Sequence, residues 1–164
     1  MMKTDAIETE EKYQLVTFQL GNEHYGIDIM KVKEIHKVRN IRPIPNAPAY
    51  VEGIFNLRGA IIPLINLHKR FHIKRAVLGE GEELLSGFLI ITLQGKQLGI
   101  FIDKISRVVS VDREKIQPPP QMLSGIGAEY IQGVFQEENG YLIILDIDRL
   151  FDPKELQNLD AMGI

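Results

Sequence analysis

The chain contains no cysteine and no tryptophan, and aromatic residues make up only 7% of it. Without a thiol there is no disulfide, no thiolate metal site and no cysteine nucleophile. No apolar run approaches the roughly 20 residues that a membrane-crossing helix needs. Residues 1–12 carry more acid than base and lack the apolar stretch of a secretory signal. The expectation is a cytoplasmic protein with no direct membrane insertion. Catalytic signatures are also missing: there is no Gly-x-x-x-x-Gly-Lys phosphate loop, no dinucleotide fingerprint and no serine in a nucleophile elbow. These absences predict a protein that is not an enzyme and that needs neither cofactor nor metal.

What is present suits a folded domain. Of 164 residues, 45% are hydrophobic and 25% charged, enough for one compact domain or two small packed lobes. The net charge of −3 conceals an asymmetry. Residues 13–75 carry ten Lys/Arg against four Asp/Glu, and residues 76–152 carry six against twelve. A basic half can attract nucleic acid or orient docking on a protein.

The chain repeats itself. Gly26-Ile27-Asp28-Ile29 aligns with Gly99-Ile100-Phe101-Ile102, and Val32 with Ile105. Ile41-Arg42-Pro43-Ile44-Pro45 aligns with Ile116-Gln117-Pro118-Pro119-Pro120, and Tyr50-Val51-Glu52-Gly53-Ile54-Phe55 with Tyr130-Ile131-Gln132-Gly133-Val134-Phe135. Asn66-Leu67 falls on Asp146-Ile147, and Phe71 on Phe151. Four segments matching in the same order define a duplication.

Each copy reads as β structure. Val16, Phe18 and Leu20 alternate with Thr17 and Gln19, the period of a half-buried strand. Gly21 to His24 makes a turn into a second strand. Phe88-Leu89-Ile90-Ile91 is an unbroken apolar run, which predicts a strand covered on both faces. Ile29, Val32 and Ile35, spaced by three, predict a short helical turn. The prolines at 43, 45, 48 and 118–120 impose extended connectors. A late hairpin closes each copy, with Asn139-Gly140 as the turn in the second. Asp152-Pro153-Lys154-Glu155 starts a C-terminal helix packed through Leu156 and Leu159.

The fold expected is all-β: two pseudo-symmetric five-stranded SH3-like barrels side by side, with short helices including a C-terminal one. The folded part spans residues 13–151, with barrel units at 13–75 and 86–151. The repeat admits an exchange of strands between them. Gly79 to Glu83 is the linker, and residues 1–12 and 157–164 are flexible tails.

Few residues invite chemistry. His68 and His72 are four apart, yet no third ligand is evident, and solvent-exposed histidines are the simpler reading. Asp146 and Asp148 share one strand face without the oppositely tuned pair that acid–base work requires. Two basic clusters, one running from Lys31 through Arg39 to Arg42 and the other from Lys69 to Arg75, raise a tandem-barrel nucleic-acid binder as the alternative. Single-strand binders interleave charge with stacking aromatics, whereas Tyr50, Phe55 and Phe71 recur in the second copy, where a core role is simpler.

One hairpin differs between the copies. Asn56-Leu57-Arg58-Gly59 falls on Gln136-Glu137-Glu138-Asn139, so a cation stands where the other copy has anions. Arg58 is either a solvated loop-tip arginine or a recognition group for carboxylates and carbonyls.

The phrases Gly26 to Ile35, Gly53 to Gly59 and Pro63 to Leu67 resemble the chemotaxis coupling protein CheW family, over about Tyr13 to Phe151. That resemblance implies a non-enzymatic adaptor linking the cytoplasmic tip of chemoreceptors to the regulatory domain of the histidine kinase CheA in membrane-associated arrays. It implies a receptor groove using Val32, Glu34, Arg58, Phe88, Ile105 and Val108. Ile105 and Val108, three apart, suit one face of a turn. Gly53 is a candidate for the kinase interface, because a small residue near a barrel end permits close approach. The second copy departs from the family at Ser86-Gly87-Phe88, where Gly87 leaves a gap that bears on receptor preference.

Overall fold

In the computed structural model, residues 12–37, 40–119, 126–138 and 140–160 are described. The first copy supplies a hairpin of β1 (Lys12–Leu20) and β2 (Glu23–Asp28), a 3₁₀ turn at Ile29–Lys31 and strand β3 (Val32–His36). A second hairpin, β4 (Val51–Leu57) and β5 (Ala60–Ile65), leads into helix α1 (Leu67–Phe71). After a 3₁₀ turn at Glu82–Leu85 the order recurs: β6 (Gly87–Leu93), β7 (Lys96–Ile102), β8 (Lys104–Asp112), β9 (Ile131–Glu137) and β10 (Gly140–Leu145). Helix α2 (Pro153–Asp160) ends the described chain.

The strands form two five-stranded sheets that exchange hairpins. One sheet runs β8-β1-β2-β10-β9 and the other β3-β6-β7-β5-β4. Each therefore joins the leading hairpin of one copy to three strands of the other. The exchange is closed by parallel pairing at equivalent places, Gly26 facing Ile144 and Gly99 facing Leu64. A Cβ on Gly99 would lie 2.6 Å from a Leu64 methyl carbon.

Three hydrophobic clusters follow from strand parity. Leu15, Tyr13, Val111, Leu142 and Ile144 fill the inside of the first sheet's curl, and Phe55, Ile62, Leu64, Phe88 and Ile90 that of the second. The alternate residues, among them Phe18, Leu20, Leu89 and Ile91, face a larger core shared by both sheets. Phe88 to Ile91 are all buried because successive side chains enter different cores. β1 is likewise covered twice. Thr17 is buried rather than half-exposed, and its hydroxyl donates to the Arg107 carbonyl at 2.6 Å.

The duplication reaches into loop detail. Arg42 bridges to Ile54 and Gln117 to Val134, and Asn66 N and Asp146 N donate to the carbonyls of Tyr50 and Tyr130. The proline-rich stretches connect the strands without helix, but the first is not extended throughout: it turns at Pro45-Asn46, with Asn46 at φ +63°, and again before β4; Pro120 lies outside the described residues. Asn139 of the predicted β9–β10 turn lies outside them too.

The helical turn expected across Ile29 to Ile35 covers only Ile29–Lys31; Val32 and Ile35 are on a strand. A register shift between Val32 and Glu34 places Val32 opposite Ile91 and Ile35 opposite Leu89. The spacing of three thus comes from a β-bulge. Residues 157–160, expected within the C-terminal tail, are helical instead. Helix α2 continues to Asp160 and Leu159 is buried in the shared core. A reciprocal capping box starts the helix, Glu155 N donating to Asp152 Oδ1 at 2.7 Å and Asp152 N to Glu155 Oε1 at 3.1 Å. Of the expected N-terminal tail, Lys12 opens β1 and residues 1–11 lie outside the described residues, as do 161–164.

Candidate docking site

β3 and β8 occupy the same place in the two copies, each at one end of its sheet order. Both carry a bulge at the same position. On β8, Ile105 faces Phe18 and Val108 faces Val16, with the shift between Val16 and Phe18. Cross-strand partners share a sheet face, so Ile105 and Val108 point to the same side as Phe18, toward the shared core. Val32 and Ile35 do so on β3. The two pairs are equivalent, Val32 with Ile105 and Ile35 with Val108. Val32 and Ile105 pack at the border of the shared core. Ile35 and Val108 continue outward from them, 41% and 52% exposed. Two edge strands thus contribute matching apolar pairs to one seam between the sheets. The i, i+3 spacing of Ile105 and Val108 reflects a bulged strand, not a turn of helix.

Glu34 lies on the other face of β3, opposite Ile90. It meets Arg58 at the tip of the β4–β5 hairpin, Nη1 donating to Oε2 at 2.9 Å and Nη2 to Oε1 at 3.4 Å. His36 Nε2 stands 3.5 Å from the same carboxylate. Arg58 sits at φ +53° and Gly59 at +88°, the two central positions of a tight hairpin turn, and Asn56 Oδ1 accepts from Gly59 N at 2.8 Å. A non-glycine residue in this region is strained, and Asn is the usual exception. Gln94 and Gly95, in the β6–β7 turn, adopt the same pair of conformations at φ +50° and +78°. The Arg58 side chain remains 73% exposed, held by Glu34 but open to solvent. At the equivalent positions of the first sheet stand Glu138 and Arg107. With Thr17, His24, Phe135 and Tyr141 they line an open cavity of about 670 Å³.

Two of the expected site residues belong to the interior. Phe88 is 6% exposed and packs edge-on against Phe101 at 5.4 Å between ring centroids. Its contribution to any groove is to support β6 beneath His36. Gly53 is buried at φ +147°, and a Cβ there would lie 2.4 Å from the Arg42 carbonyl oxygen. At Gly133 a Cβ would lie 2.5 Å from Ile116 Cγ2 and 2.9 Å from the Gln117 carbonyl oxygen, without the positive φ of Gly53. The close approach that requires Gly53 is made by its own chain. Ile35, in turn, was not among the expected residues, although the repeat alignment places it on Val108.

The remaining polar candidates also change character. His68 is buried, not solvent-exposed; its Nε2 donates to Asp103 Oδ2 at 2.7 Å. Asp103 is itself fully buried and accepts from Gly21 N at 2.7 Å and Ala76 N at 3.2 Å, with Arg75 Nε 3.3 Å away. Burial pushes its carboxyl upward, but the hydrogen bonds from His68, Gly21 and Ala76 outweigh this and hold it below the ordinary range. His72 terminates α1 in the left-handed region. Asp146 and Asp148 lie beyond β10 and pair with Arg149 and Lys31, each at 3.4 Å. Among the described residues no group of three potential metal ligands converges. No helix among them is long and apolar enough to cross a membrane. The aromatics that a single-strand binder would expose are packed inward: Phe55 is buried, and Tyr50 and Phe71 lie against the shared core.

A duplicated pair of curled sheets with matched apolar pairs exposed on equivalent edge strands suits a protein-binding scaffold. Residues 14–155 match the CheW-like domain. The chain is 62% identical over 150 residues to Chemotaxis protein CheW of Treponema pallidum (strain Nichols), covering 92% of this chain and 88% of that protein. It is 33% identical over the same length to Chemotaxis protein CheW of Klebsiella aerogenes, with the same coverage. The crystal structure of the scaffolding protein TtCheW from Thermoanaerobacter tengcongensis superposes with a TM-score of 0.75 at 35% identity, covering 85% of this chain and 88% of that one. The chain belongs to the CheW family and is a chemotaxis scaffold protein.

Proposed function

We propose that this protein works in the cytoplasm as the non-enzymatic adaptor that ties the cytoplasmic tips of chemoreceptors to the regulatory domain of the histidine kinase CheA. The receptor contributes the apolar face of a helical hairpin, which lies in the seam between the sheets against Val32, Ile35, Ile105 and Val108. Arg58, oriented in advance by Glu34 on the other face of β3, offers a separate polar contact for a carboxylate or carbonyl. The kinase regulatory domain docks at a barrel end, away from the seam. The observation that carries this reading is the matched pair of exposed apolar residues, Ile35 and Val108, on equivalent edge strands. Surface apolar residues placed twice by the same bulge are a built feature, unlike one stray exposed side chain.

Sedimentation of the full chain with a soluble receptor cytoplasmic fragment and CheA tests the reading. A ternary complex that loses receptor but keeps kinase in Val108→Asp is the expected result. A complex indifferent to that change would overturn it.

A further inference from the structure

Strand β8 changes phase along its length. Ile105 points to the shared core with Phe18, whereas Val109 and Val111 enter the inside of the first sheet's curl with Leu15 and Tyr13. Positions 105, 109 and 111 are all odd, so on an unbroken strand they would share one face. The bulge reconciles them. Between the pairs Phe18–Ile105 and Val16–Val108, Ser106 and Arg107 stand against Thr17 alone. That extra residue sets Val108 beside Ile105 on the seam and leaves Arg107 on the opposite face, where it lines the open cavity.

A bulge interrupts the ladder and leaves backbone groups to be satisfied by other means. At this one Thr17 supplies both partners. Its hydroxyl donates to the Arg107 carbonyl at 2.6 Å and accepts from Arg107 N at 3.1 Å. Thr17 is only 5% exposed, so water has little room to take its place. The other residues on that face of β1, Tyr13 and Leu15, belong to the apolar cluster inside the curl. The stripe turns polar where the bulge falls.

The clamp belongs to one copy alone. On β3 the matching bulge lies against β6, and the register sets Ile90 in the place of Thr17, a residue with no hydroxyl to offer. β8 also stands at the end of its sheet, with no further strand on its far side to hold its phase. Its pairing with β1, and the Thr17 hydroxyl within that pairing, therefore decide which side chains reach the seam.

We infer that Thr17 is a positioning residue for receptor docking: by clamping Arg107 it fixes the phase of β8 and so places Val108 in the seam. The inference rests on the seam being the receptor groove, and the experiment separates the two. Affinity of the full chain for a soluble chemoreceptor cytoplasmic fragment is measured for wild type, Thr17→Val, Thr17→Ser and Val108→Asp, at a temperature where thermal unfolding shows each chain folded. Amide hydrogen exchange is followed in the same samples. Thr17→Val should lose about five- to tenfold in receptor affinity, as for a displaced interface residue. Its Arg107 amide should exchange faster while the amides of β10 keep wild-type protection, a local change that a general loss of stability would not give. Thr17→Ser keeps the hydroxyl and should match wild type on both counts.

If Val108→Asp loses receptor binding while Thr17→Val binds as wild type, the groove stands and the clamp does not serve it. The inference falls equally if Thr17→Ser loses as much affinity as Thr17→Val. It falls too if exchange rises throughout the sheet and affinity declines only with the unfolded fraction, since Thr17 then serves the fold alone. If Val108→Asp binds as wild type, the groove itself is wrong and the role of Thr17 in docking goes with it. A Thr17→Val chain that fails to fold leaves Thr17→Ala to decide by the same criteria.

Discussion

Arg58 and Glu34 form a two-pronged ion pair across the mouth of the second sheet, and at the equivalent positions of the first sheet the charges are exchanged, with Glu138 for Arg58 and Arg107 for Glu34. The repeat thus sets opposite charges at matching positions of the two copies. The arginine also occupies a left-handed turn position at φ +53°. The turn conformation and the exposed guanidinium are separate demands on this position.

The substitution Arg58→Asn separates those two demands. Asn tolerates the left-handed turn best among residues with a side chain, and an exposed ion pair is worth only about 0.2–1 kcal/mol. Urea unfolding should place the variant within about 0.5 kcal/mol of wild type. Affinity for a receptor cytoplasmic fragment should fall about tenfold, the loss typical of an anchoring arginine.

Asp103 is the most costly polar residue to remove. It gathers His68 from α1, Gly21 from the β1–β2 turn and Ala76 from the joining segment. Asp103→Ala strands these donors in the interior and should cost about 3–5 kcal/mol in urea unfolding. Asp103→Asn should fall between the variant and wild type.

Glu155 sets an acid dependence. Hydrogen bonding from Arg70, with Nη2 to Oε1 at 2.8 Å, holds its carboxyl below the ordinary range, and the Asp152 amide adds to this. The stabilisation is therefore fully present above the unfolded carboxylate pKa and is lost as pH falls through the lower folded value. Melting temperatures of wild type and Glu155→Gln, followed from about pH 7 to 3, should converge at the acid end. The variant melts lower at neutral pH and declines less steeply.

Gly53→Ala tests whether that glycine serves the fold. A Cβ 2.4 Å from the Arg42 carbonyl oxygen, at φ +147°, should cost at least about 2–3 kcal/mol, and Gly133→Ala, which lacks the positive φ, a smaller amount. Kinase and receptor binding should fall together, in proportion to the unfolded fraction.

Much of this was legible in the sequence. The duplication, the hairpins, the doubly covered strand at Phe88 to Ile91 and the C-terminal capping box are all local patterns of residue type and spacing. What escaped depends on register between distant strands. The i, i+3 spacing of Val32 with Ile35 and of Ile105 with Val108 suggests a helical turn until the bulges against β6 and β1 are known. Phe88 was expected in the groove only through the family resemblance; its parity on β6, which sends it into one core while Leu89 enters another, depends on strand pairing. His68 looked exposed because its partner Asp103 is 35 residues away in sequence. Ile35, by contrast, was within reach: carrying the repeat alignment three residues beyond Val32 and Ile105 sets it on Val108.

The seam is tested most directly by titrating a soluble receptor cytoplasmic fragment against Ile35→Asp and Val108→Asp, each checked by thermal unfolding. Both side chains are substantially exposed, so melting should stay near wild type, while receptor affinity should fall by more than about tenfold in each. Wild-type receptor affinity in both folded variants would contradict the account.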